Sequence, residues 1–232
     1  RALEAGKHVM VEKPLAMTHS DLDRIERFYT GLGEVDAPLL FTGFNRRFAP
    51  GVQHIRSALA TRATPLIANY RMNAGYIPGD TWIQTAEGGG RNIGEACHIY
   101  DTFRALVGHP VVSVTASSIG AGTPPWKTND NFVANVTYAD GSLCTLTYTA
   151  LGHKDHPKER MDVYVDGRVI ELDNYKAVRT TGANQPAWSS RQIAKGHLEE
   201  LQALRDALTG RAGWPIPLHE QLETSRVALQ VE

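Results

Sequence analysis

Residues 132–148 read FVANVTYADGSLCTLTY, two runs of alternating residues joined by a short polar turn. Alternation with a period of two is typical of half-buried strands, and the Asp140-Gly141 pair between the runs is a strong hairpin signal. A second hairpin is predicted over 162–172, around another Asp-Gly pair. Together with the β-rich stretches at 66–72 and 111–119, these hairpins predict an antiparallel sheet of about five or six strands.

The first 46 residues follow a different pattern. Apolar runs at 7–11 and 38–44 flank a helical segment predicted from about 19 to 29. This strand-helix-strand order implies parallel strands, and the first is expected to be buried. We therefore divide the chain into a parallel α/β part at 1–46 and an α+β domain at 47–232. The first six residues, RALEAG, are typical of a helix end closed by glycine, so the chain is expected to begin inside its first domain.

Three later segments are predicted to be helices that cover one face of the sheet. They span about 50–59, 196–208 and 218–231. In the middle segment, leucines recur at helical spacing and charged residues occupy the other side. We expect the following leucine stripe to pack on the sheet: Leu198, Leu201, Leu204 and Leu208.

The composition excludes several classes of partner and site. With 24 Lys and Arg residues against 25 Asp and Glu residues, the net charge is −1, so no basic surface is expected for nucleic acid or a membrane. No apolar run approaches the roughly 20 residues of a membrane-spanning helix, and no signal peptide is recognisable, so a cytoplasmic protein is predicted. Cys97 and Cys144 lack metal-site spacing and are expected to be buried thiols. The loop with His153 and His156 offers too few ligands, so no metal site is predicted.

Glu12-Lys13-Pro14 follows the first predicted strand. Ligands of parallel sheets bind at the carboxyl ends of the strands. A lysine there can donate a hydrogen bond to a substrate hydroxyl or exchange a proton with it. A solvated lysine beside a turn proline is the simpler interpretation, and the tripeptide by itself favours it.

The second motif is GGGRNIGEACHIYD at 88–101. Three glycines precede a helical pattern that places Glu95, His98 and Asp101 on one face, because residues three apart are neighbours on a helix. A histidine oriented by carboxylates can act as an acid or a base near neutral pH. A helix N-terminus with an incidental histidine explains the segment equally well. The occurrence of both motifs in one chain favours the catalytic interpretation.

These motifs resemble those of the Gfo/Idh/MocA oxidoreductases. The resemblance rests on AGKHVMVEKPLA at 5–16, GFNRRF at 43–48 and the 88–101 segment, in that order, and it covers essentially the whole chain. It implies the end of a Rossmann-type, NAD- or NADP-binding domain, followed by a mostly antiparallel open sheet covered by helices on one face. The stretches at 70–78 and 94–98 resemble a branch in which this unit follows an alcohol-dehydrogenase-like region.

The resemblance also implies roles for individual residues. Lys13 would lie beside the nicotinamide and the substrate, with Glu12 and Pro14 as further cofactor contacts. His98 would be the catalytic acid or base.

The sequence departs from the family pattern in two places. Many members have an Asp four residues before the catalytic histidine, where this chain has Gly94 followed by Glu95. One residue turns a helical side chain by about 100°, so Glu95 need not replace that carboxylate. The glycine-rich phosphate loop is also absent from these residues, so the resemblance places that loop upstream of Arg1.

The leading hypothesis is part of an NAD(P)-dependent oxidoreductase that acts on a secondary alcohol of a sugar, sugar nucleotide or cyclitol. Lys13, His98 and Glu95 are its candidate catalytic residues. The candidate substrate contacts are Arg46, Tyr70, Asn73, Trp82 and Asp101, with Trp126 as a second tryptophan that could stack on a sugar or merely pack. The alternative is a non-catalytic sugar-binding or oligomerisation domain. In either case a homo-oligomer that covers the open sheet is expected.

Overall fold

The computed structural model describes residues 1–32, 37–120, 128–184 and 186–232. Trp126 lies outside these ranges. Among the described residues, the chain forms a two-stranded parallel sheet and a separate eight-stranded sheet with helices. This mixed α+β architecture agrees with the predicted fold class. No helix in the described ranges is both long and apolar enough to cross a membrane.

The two-stranded sheet pairs β1 (Val9–Val11) with β2 (Leu40–Thr42) in parallel, and helix α1 (His19–Thr30) lies between them in the chain. Thr18 caps α1, since its hydroxyl accepts a hydrogen bond from the Asp21 amide at 3.1 Å. The predicted strand-helix-strand order is therefore confirmed. The predicted burial of β1 is wrong: Met10 is 40% exposed, because the described residues leave one side of this pair open.

The large sheet has eight strands rather than five or six. In spatial order it runs β10-β9-β8-β7-β3-β6-β5-β4, and within the described residues its only parallel pair is β3 with β6. The strands are β3 (Ile67–Asn73), β4 (Val111–Ser118), β5 (Phe132–Tyr138), β6 (Leu143–Thr149), β7 (Glu159–Val165), β8 (Arg168–Asp173), β9 (Ala177–Thr181) and β10 (Trp188–Ser189).

Both predicted hairpins are confirmed, as β5–β6 and β7–β8. The strands that the sequence did not indicate are β9 and β10. The turn before β9 places Asn174 and Tyr175 at φ of 46° and 55°, a conformation that glycine usually provides. Without a glycine to mark it, this turn carries no strong sequence signal, and β10 has only two residues.

Helices cover one face of the large sheet. They are α2 (Pro50–Leu59), α3 (Cys97–Val107) and α5 (Leu218–Val231). A further helix, α4 (His197–Leu208), lies beside this layer. The core lies between this face and α2 and α3, where Ile55, Phe103 and Leu146 are fully buried. On the opposite face, Ile67 and Tyr164 are exposed. The alternation of the strands therefore predicted correctly that one face is covered and the other is open.

Helix α5 joins the two sheets through one buried glutamine. The Gln221 Oε1 atom accepts hydrogen bonds from the Thr42 amide at 2.9 Å and from its hydroxyl at 2.8 Å. Its amide donates to the Leu40 carbonyl at 3.0 Å. Because α5 also packs on α3, these bonds hold the end of β2 against the helix layer of the large sheet.

The predicted packing of the α4 leucines is wrong for three of the four, since Leu204 packs against the core while the others are exposed. Leu198 and Leu201 are 64% and 51% exposed, whereas Glu200 is only 4% exposed. The helix packs on the 3-10 turn Asn45–Phe48 instead of on the sheet. Gly196, just before α4, has no room for a Cβ, which would lie 2.5 Å from the Asn45 carbonyl oxygen. This close approach fixes how the helix leaves the turn, and tertiary packing therefore overrides its amphipathic pattern.

Matched leucine deletions test this orientation. We expect Leu146→Ala to lower the free energy of unfolding by about 2–5 kcal/mol, because it opens a cavity in the core. Leu201→Ala should change it by less than about 0.5 kcal/mol, because that side chain is already half exposed. Urea denaturation measures both values. Equal losses would show that the leucine stripe of α4 is buried after all.

Glu200 gives a second test. Burial, with Glu12 and Asp101 nearby, raises the pKa of Glu200 from 4.5 to about 7. The folded state therefore loses stability as the pH rises from about 4.5 to about 7, because the buried carboxyl must ionise. Glu200→Gln should be more stable than the wild type by about 1–3 kcal/mol at pH 8, with no gain at pH 4.

Urea denaturation at the two pH values measures the gain, and Glu199→Gln, one residue earlier in α4, is the control. A gain that is the same at pH 4 and pH 8 would contradict the assigned burial of this carboxyl.

Candidate functional site

One cavity contains residues from both sequence motifs. It has a volume of about 370 Å³ and includes Lys13 and His98, so we call it the Lys13–His98 cavity. Larger clefts exist among the described residues, such as one of about 490 Å³ beside Arg62, but none of them contains Lys13 or His98. The other polar side chains that line it are Arg46, Arg91, Glu95 and Lys158. Apolar surface comes chiefly from Pro14, Ile77, Trp82 and Ile83.

The three glycines of the second motif seat a short turn against the cavity. A Cβ on Gly88 would lie 2.3 Å from the Trp82 carbonyl oxygen, so only glycine allows this approach. Gly89 and Gly90 follow at φ of 71° and 70°, which is the left-handed region that favours glycine. These residues bring the 3-10 turn Trp82–Gln84 beside the start of the helical segment, and Trp82 lines the cavity while 63% exposed.

A π-helical turn at Asn92–Ala96 precedes α3. Such a turn contains one extra residue per turn and often occurs at functional sites. It brings the Glu95 side chain into the same cavity as His98, despite the one-residue offset from the family pattern. The Lys13 ammonium group donates a hydrogen bond to the Gly94 carbonyl oxygen at 2.7 Å. The position that lacks the usual carboxylate therefore contacts the candidate catalytic lysine through its backbone.

Glu95 is held as a carboxylate by three donors. Lys158 approaches Oε1 at 2.6 Å, while the Tyr148 hydroxyl donates to Oε2 and Arg91 lies 3.4 Å from the same atom. Burial by itself would raise the pKa of Glu95, but Lys158, Tyr148 and Arg91 lower it to about 2. Glu95 is therefore ionised throughout the neutral range.

His98 is buried in the cavity wall and is uncharged near pH 7. Burial, together with the positive charges of Arg46 and Lys13, lowers the pKa of its imidazole well below the usual range. Its Nδ1 atom is buried without a hydrogen-bond partner among the described residues. The ring packs edge-on against Phe44, with a centroid separation of 6.3 Å.

The prediction that carboxylates orient His98 is wrong. Glu95 bonds to other groups, and Asp101 is fully buried in a pair with Arg47, whose Nε lies 2.9 Å from Oδ2. Burial raises the pKa of Asp101 to about 6 although Arg47 opposes the shift. Because α3 is buried on all sides, spacing by three residues did not place these groups on one accessible face. Asp101 does not line the cavity.

Arg46 reaches the cavity, but Tyr70 does not. Both bind Glu159: the Arg46 Nε lies 2.9 Å from one carboxylate oxygen, and the Tyr70 hydroxyl donates at 2.6 Å. Burial would disfavour the charged forms of Arg46 and Glu159, but their attraction raises the pKa of the arginine and lowers that of the carboxyl. Tyr70 is 2% exposed, so the structure places it behind the wall.

Asn73 lies away from the cavity as well. Its side-chain amide donates to the His153 carbonyl at 2.8 Å and to the His156 carbonyl at 3.2 Å. Asn73 therefore ties the end of β3 to the loop that precedes β7. Of the Glu12-Lys13-Pro14 motif, Lys13 and Pro14 line the cavity, whereas Glu12 is exposed outside it.

Three residues of the site were not singled out from the sequence. Arg91 lies within the second motif and donates to the Tyr148 hydroxyl at 2.7 Å and to the Gly75 carbonyl at 2.8 Å. Glu159 shares the inward face of β7 with Met161, so the period of two could have indicated a buried carboxylate. Lys158 immediately precedes that strand, and no local pattern distinguishes it.

The two cysteines agree with the prediction, since both are buried and neither forms a disulfide. Burial raises the pKa of the Cys97 thiol to about 12 and also raises that of Cys144, which makes both unreactive. Within the described ranges, no group of three or more His, Cys, Asp or Glu side chains could hold a metal ion.

Comparison with known proteins adds the decisive observation. Residues 60–171 match the profile described as the GFO/IDH/MocA C-terminal domain. These residues form a Gfo/Idh/MocA C-terminal domain. The resemblance inferred from the three motifs is therefore confirmed, while the placement in a branch fused to an alcohol-dehydrogenase-like region stays a prediction.

Two curated dehydrogenases are similar to the chain in sequence. The myo-inositol 2-dehydrogenase of Thermotoga maritima is 33% identical over 116 residues, which cover 49% of this chain and 33% of that enzyme. The 1-carboxy-3-chloro-3,4-dihydroxycyclo hexa-1,5-diene dehydrogenase of Comamonas testosteroni is 28% identical over 157 residues, covering 66% and 38%. The matched regions thus span well under half of these curated enzymes.

Solved structures of oxidoreductases share the fold of this chain at lower sequence identity. UDP-N-acetylglucosamine 3-dehydrogenase GnnA from Acidithiobacillus ferrooxidans superposes with a TM-score of 0.78 at 20% identity, covering 99% of this chain and 71% of that one. An oxidoreductase from Agrobacterium radiobacter, in complex with NAD+, L-tartaric acid and magnesium, gives 0.78 at 18% identity, with the same coverage. At these identities the likeness shows the fold.

The ionised state of Glu95 gives a test of the site in this Gfo/Idh/MocA domain. Its lowered pKa stabilises the folded state above pH 4.5, and this stabilisation is lost as the pH falls toward about 2. Glu95→Gln should therefore lower the free energy of unfolding by about 1–3 kcal/mol at pH 7, because Lys158 and Arg91 lose their counter-ion. The gap should close toward pH 2.

Urea denaturation at pH 7, 4 and 2.5 measures that gap. Glu87→Gln, an exposed change just before the glycines, is the matched control and should have no effect at any of these pH values. A loss at pH 7 that persists unchanged at pH 2.5 would show that Glu95 contributes through packing and not through its charge.

Proposed function

We propose that the protein carrying this chain is an NAD(P)-dependent oxidoreductase that acts on a secondary alcohol of a sugar, sugar nucleotide or cyclitol. The observation that carries the proposal is the Lys13–His98 cavity, where a lysine and an uncharged histidine from distant parts of the chain line one space. The names of the relatives support it: one acts on myo-inositol and another is a UDP-N-acetylglucosamine dehydrogenase.

The cavity has the chemistry to receive the nicotinamide end of the cofactor. Lys13 and Pro14 form part of its wall at the end of β1, and polar capacity remains because His98 Nδ1 is buried without a partner. In the proposed function, Lys13 and Pro14 would hold the nicotinamide, and Glu12 would support them from outside the cavity. A bound NAD(P) supplies the acceptor or donor of hydride.

His98 would act as the general base in alcohol oxidation. Because its imidazole is uncharged near pH 7, a nitrogen of the ring can accept the proton of the substrate hydroxyl as the C–H hydride leaves. The Lys13 ammonium group would donate a hydrogen bond to the same oxygen and stabilise its developing negative charge. In the direction of reduction, the protonated imidazole would return the proton to that oxygen.

The remaining candidate contacts divide into direct and indirect ones. Trp82 presents an exposed ring at the mouth of the cavity, where it can stack on the apolar face of a sugar. Arg46 and Glu95 offer a donor and an acceptor to substrate hydroxyls. We propose that Tyr70 acts indirectly, because its hydroxyl holds the Glu159 carboxylate that positions Arg46. Asn73 and Asp101 would likewise support the surrounding elements.

The open face of the large sheet supports the proposed homo-oligomer. Val133, Leu143 and Tyr164 are 38%, 36% and 43% exposed on that face, and burying them against a second copy would be favourable. Light scattering that finds the intact protein monomeric would remove the oligomer from the proposal.

We also retain the proposed division of the chain into two domains at residue 46, which falls within the Asn45–Phe48 turn.

Replacement of His98 tests the oxidoreductase. In the intact protein, His98→Ala should lower kcat by roughly 10²–10⁴-fold, because the general base is lost. His109→Ala, an exposed histidine just beyond α3, should leave kcat unchanged. Formation of NADH or NADPH with a panel of sugars and cyclitols measures both.

Two outcomes would contradict the proposal. Unchanged turnover in His98→Ala would remove His98 from the mechanism. If the intact wild-type protein turns over no member of the panel, the non-catalytic sugar-binding or oligomerisation domain becomes the better account.

A further inference from the structure

The Lys13–His98 cavity contains more positive than negative charge. Four of its lining side chains are basic, namely Lys13, Arg46, Arg91 and Lys158. Of the described residues that line it, Glu95 alone carries a carboxylate. Behind the wall, Glu159 and Lys195 add one charge of each sign, with Lys195 Nζ at 2.5 Å from the carboxylate, so the imbalance remains.

Carboxylates of the protein match two of these cations. Arg46 pairs with Glu159, and Lys158 pairs with Glu95 at 2.6 Å. The Lys13 ammonium group has only the neutral Gly94 carbonyl as a partner within the described part of the chain. Arg91 bonds mainly to neutral oxygens and lies 3.4 Å from the already paired Glu95.

This surplus of positive charge is costly in a partly closed space. Arg91 is only 3% exposed, and a cation removed from water is destabilising unless an opposite charge compensates it. Hydroxyl groups of a neutral sugar could fill the remaining donor positions but could not balance the charge. An anionic group on the substrate would do both, through hydrogen bonds that are stronger than those to a neutral acceptor.

We propose that the substrate is a polyhydroxylated carboxylic acid, such as a sugar acid, whose carboxylate binds Lys158 beside Arg91. This proposal rests on the oxidoreductase function proposed above. Lys158 is the anchor because its side chain is 40% exposed and uses one donor on Glu95, which leaves donors for a ligand. The secondary hydroxyl of the same molecule reaches Lys13 and His98 across the cavity.

The position of Glu95 fits this arrangement. It lies between the two ends of the proposed substrate, since Lys158 and Arg91 contact its carboxylate while Lys13 contacts the backbone of the preceding residue. Glu95 thereby holds Lys158 in place and separates the carboxylate anchor from the reacting hydroxyl. The cavity, at about 370 Å³, is near the lower end of the range for ligand sites, which favours a single ring with its substituents.

Matched sugar pairs test the proposal. D-Glucuronate and D-glucose differ only in carboxylate against hydroxymethyl, as do D-galacturonate and D-galactose, while D-gluconate and D-glucitol form an open-chain pair. We expect calorimetric titration of the cofactor-loaded intact protein to show the acid of at least one pair binding at least about tenfold more tightly, or about 1.4 kcal/mol.

A variant pair assigns that preference to the anchor. Lys158→Gln should weaken binding of the preferred acid about tenfold and leave its neutral partner unchanged. Lys154→Gln removes an exposed lysine from the same loop and should leave both affinities unchanged. Acids that bind no more tightly than their neutral partners, including no binding by either, would overturn the proposal. So would a preference that persists in Lys158→Gln.

Two further arms separate the alternatives. Tighter binding of D-glucose 6-phosphate than of any acid would overturn the carboxylate in favour of a phosphate group. Cofactor reduction is followed with the same compounds. If acids bind preferentially but none is oxidised, the preference for a carboxylate in the ligand is supported and the oxidoreductase function fails. If neutral sugars are oxidised as well as the acids are, the function stands and the carboxylate proposal fails.

Discussion

The buried carboxylate of Glu159 connects the elements that form the site. It is fully buried, and it receives Arg46 from the Asn45–Phe48 turn, Tyr70 from β3 and Lys195 from the segment before α4. Removing one partner of a buried ion pair typically costs about 3–5 kcal/mol, because the other charge is left uncompensated. Glu159 therefore helps to hold this turn against the sheet and the segment before α4 against the turn.

The chemistry of the cavity follows from this arrangement. Glu159 keeps Arg46 charged and aimed at the cavity, and Arg46 in turn helps to keep His98 uncharged. The π-helical turn likewise fixes the charge of Glu95, because it brings that carboxylate to the cations of Lys158 and Arg91. An uncharged base, an ionised carboxylate and several cations can coexist within one small space because each has a different set of neighbours.

Much of the fold could be predicted from local patterns. The alternation in the 132–148 hairpin and the Asp-Gly turns act between residues close in the chain, so the sequence carries them directly. The same holds for the predicted α2 and α5, because α2 begins at Pro50 and the helical pattern of α5 starts directly after Pro217. The orientation of α4 could not be predicted in this way, because contacts outside the helix place Glu200 inward and three of its four leucines outward.

By itself, the sequence determined the two kinds of sheet, the two chemical motifs and the family to which they belong, because these depend on residue type and short spacing. Tertiary structure decided which polar residues share the cavity. It brought Lys13 to His98 over 85 positions of sequence, added Arg91 and Lys158, and withdrew Tyr70 and Asp101 into buried pairs. The physical reason is that burial and ion pairing depend on neighbours distant in the chain, which no local periodicity records.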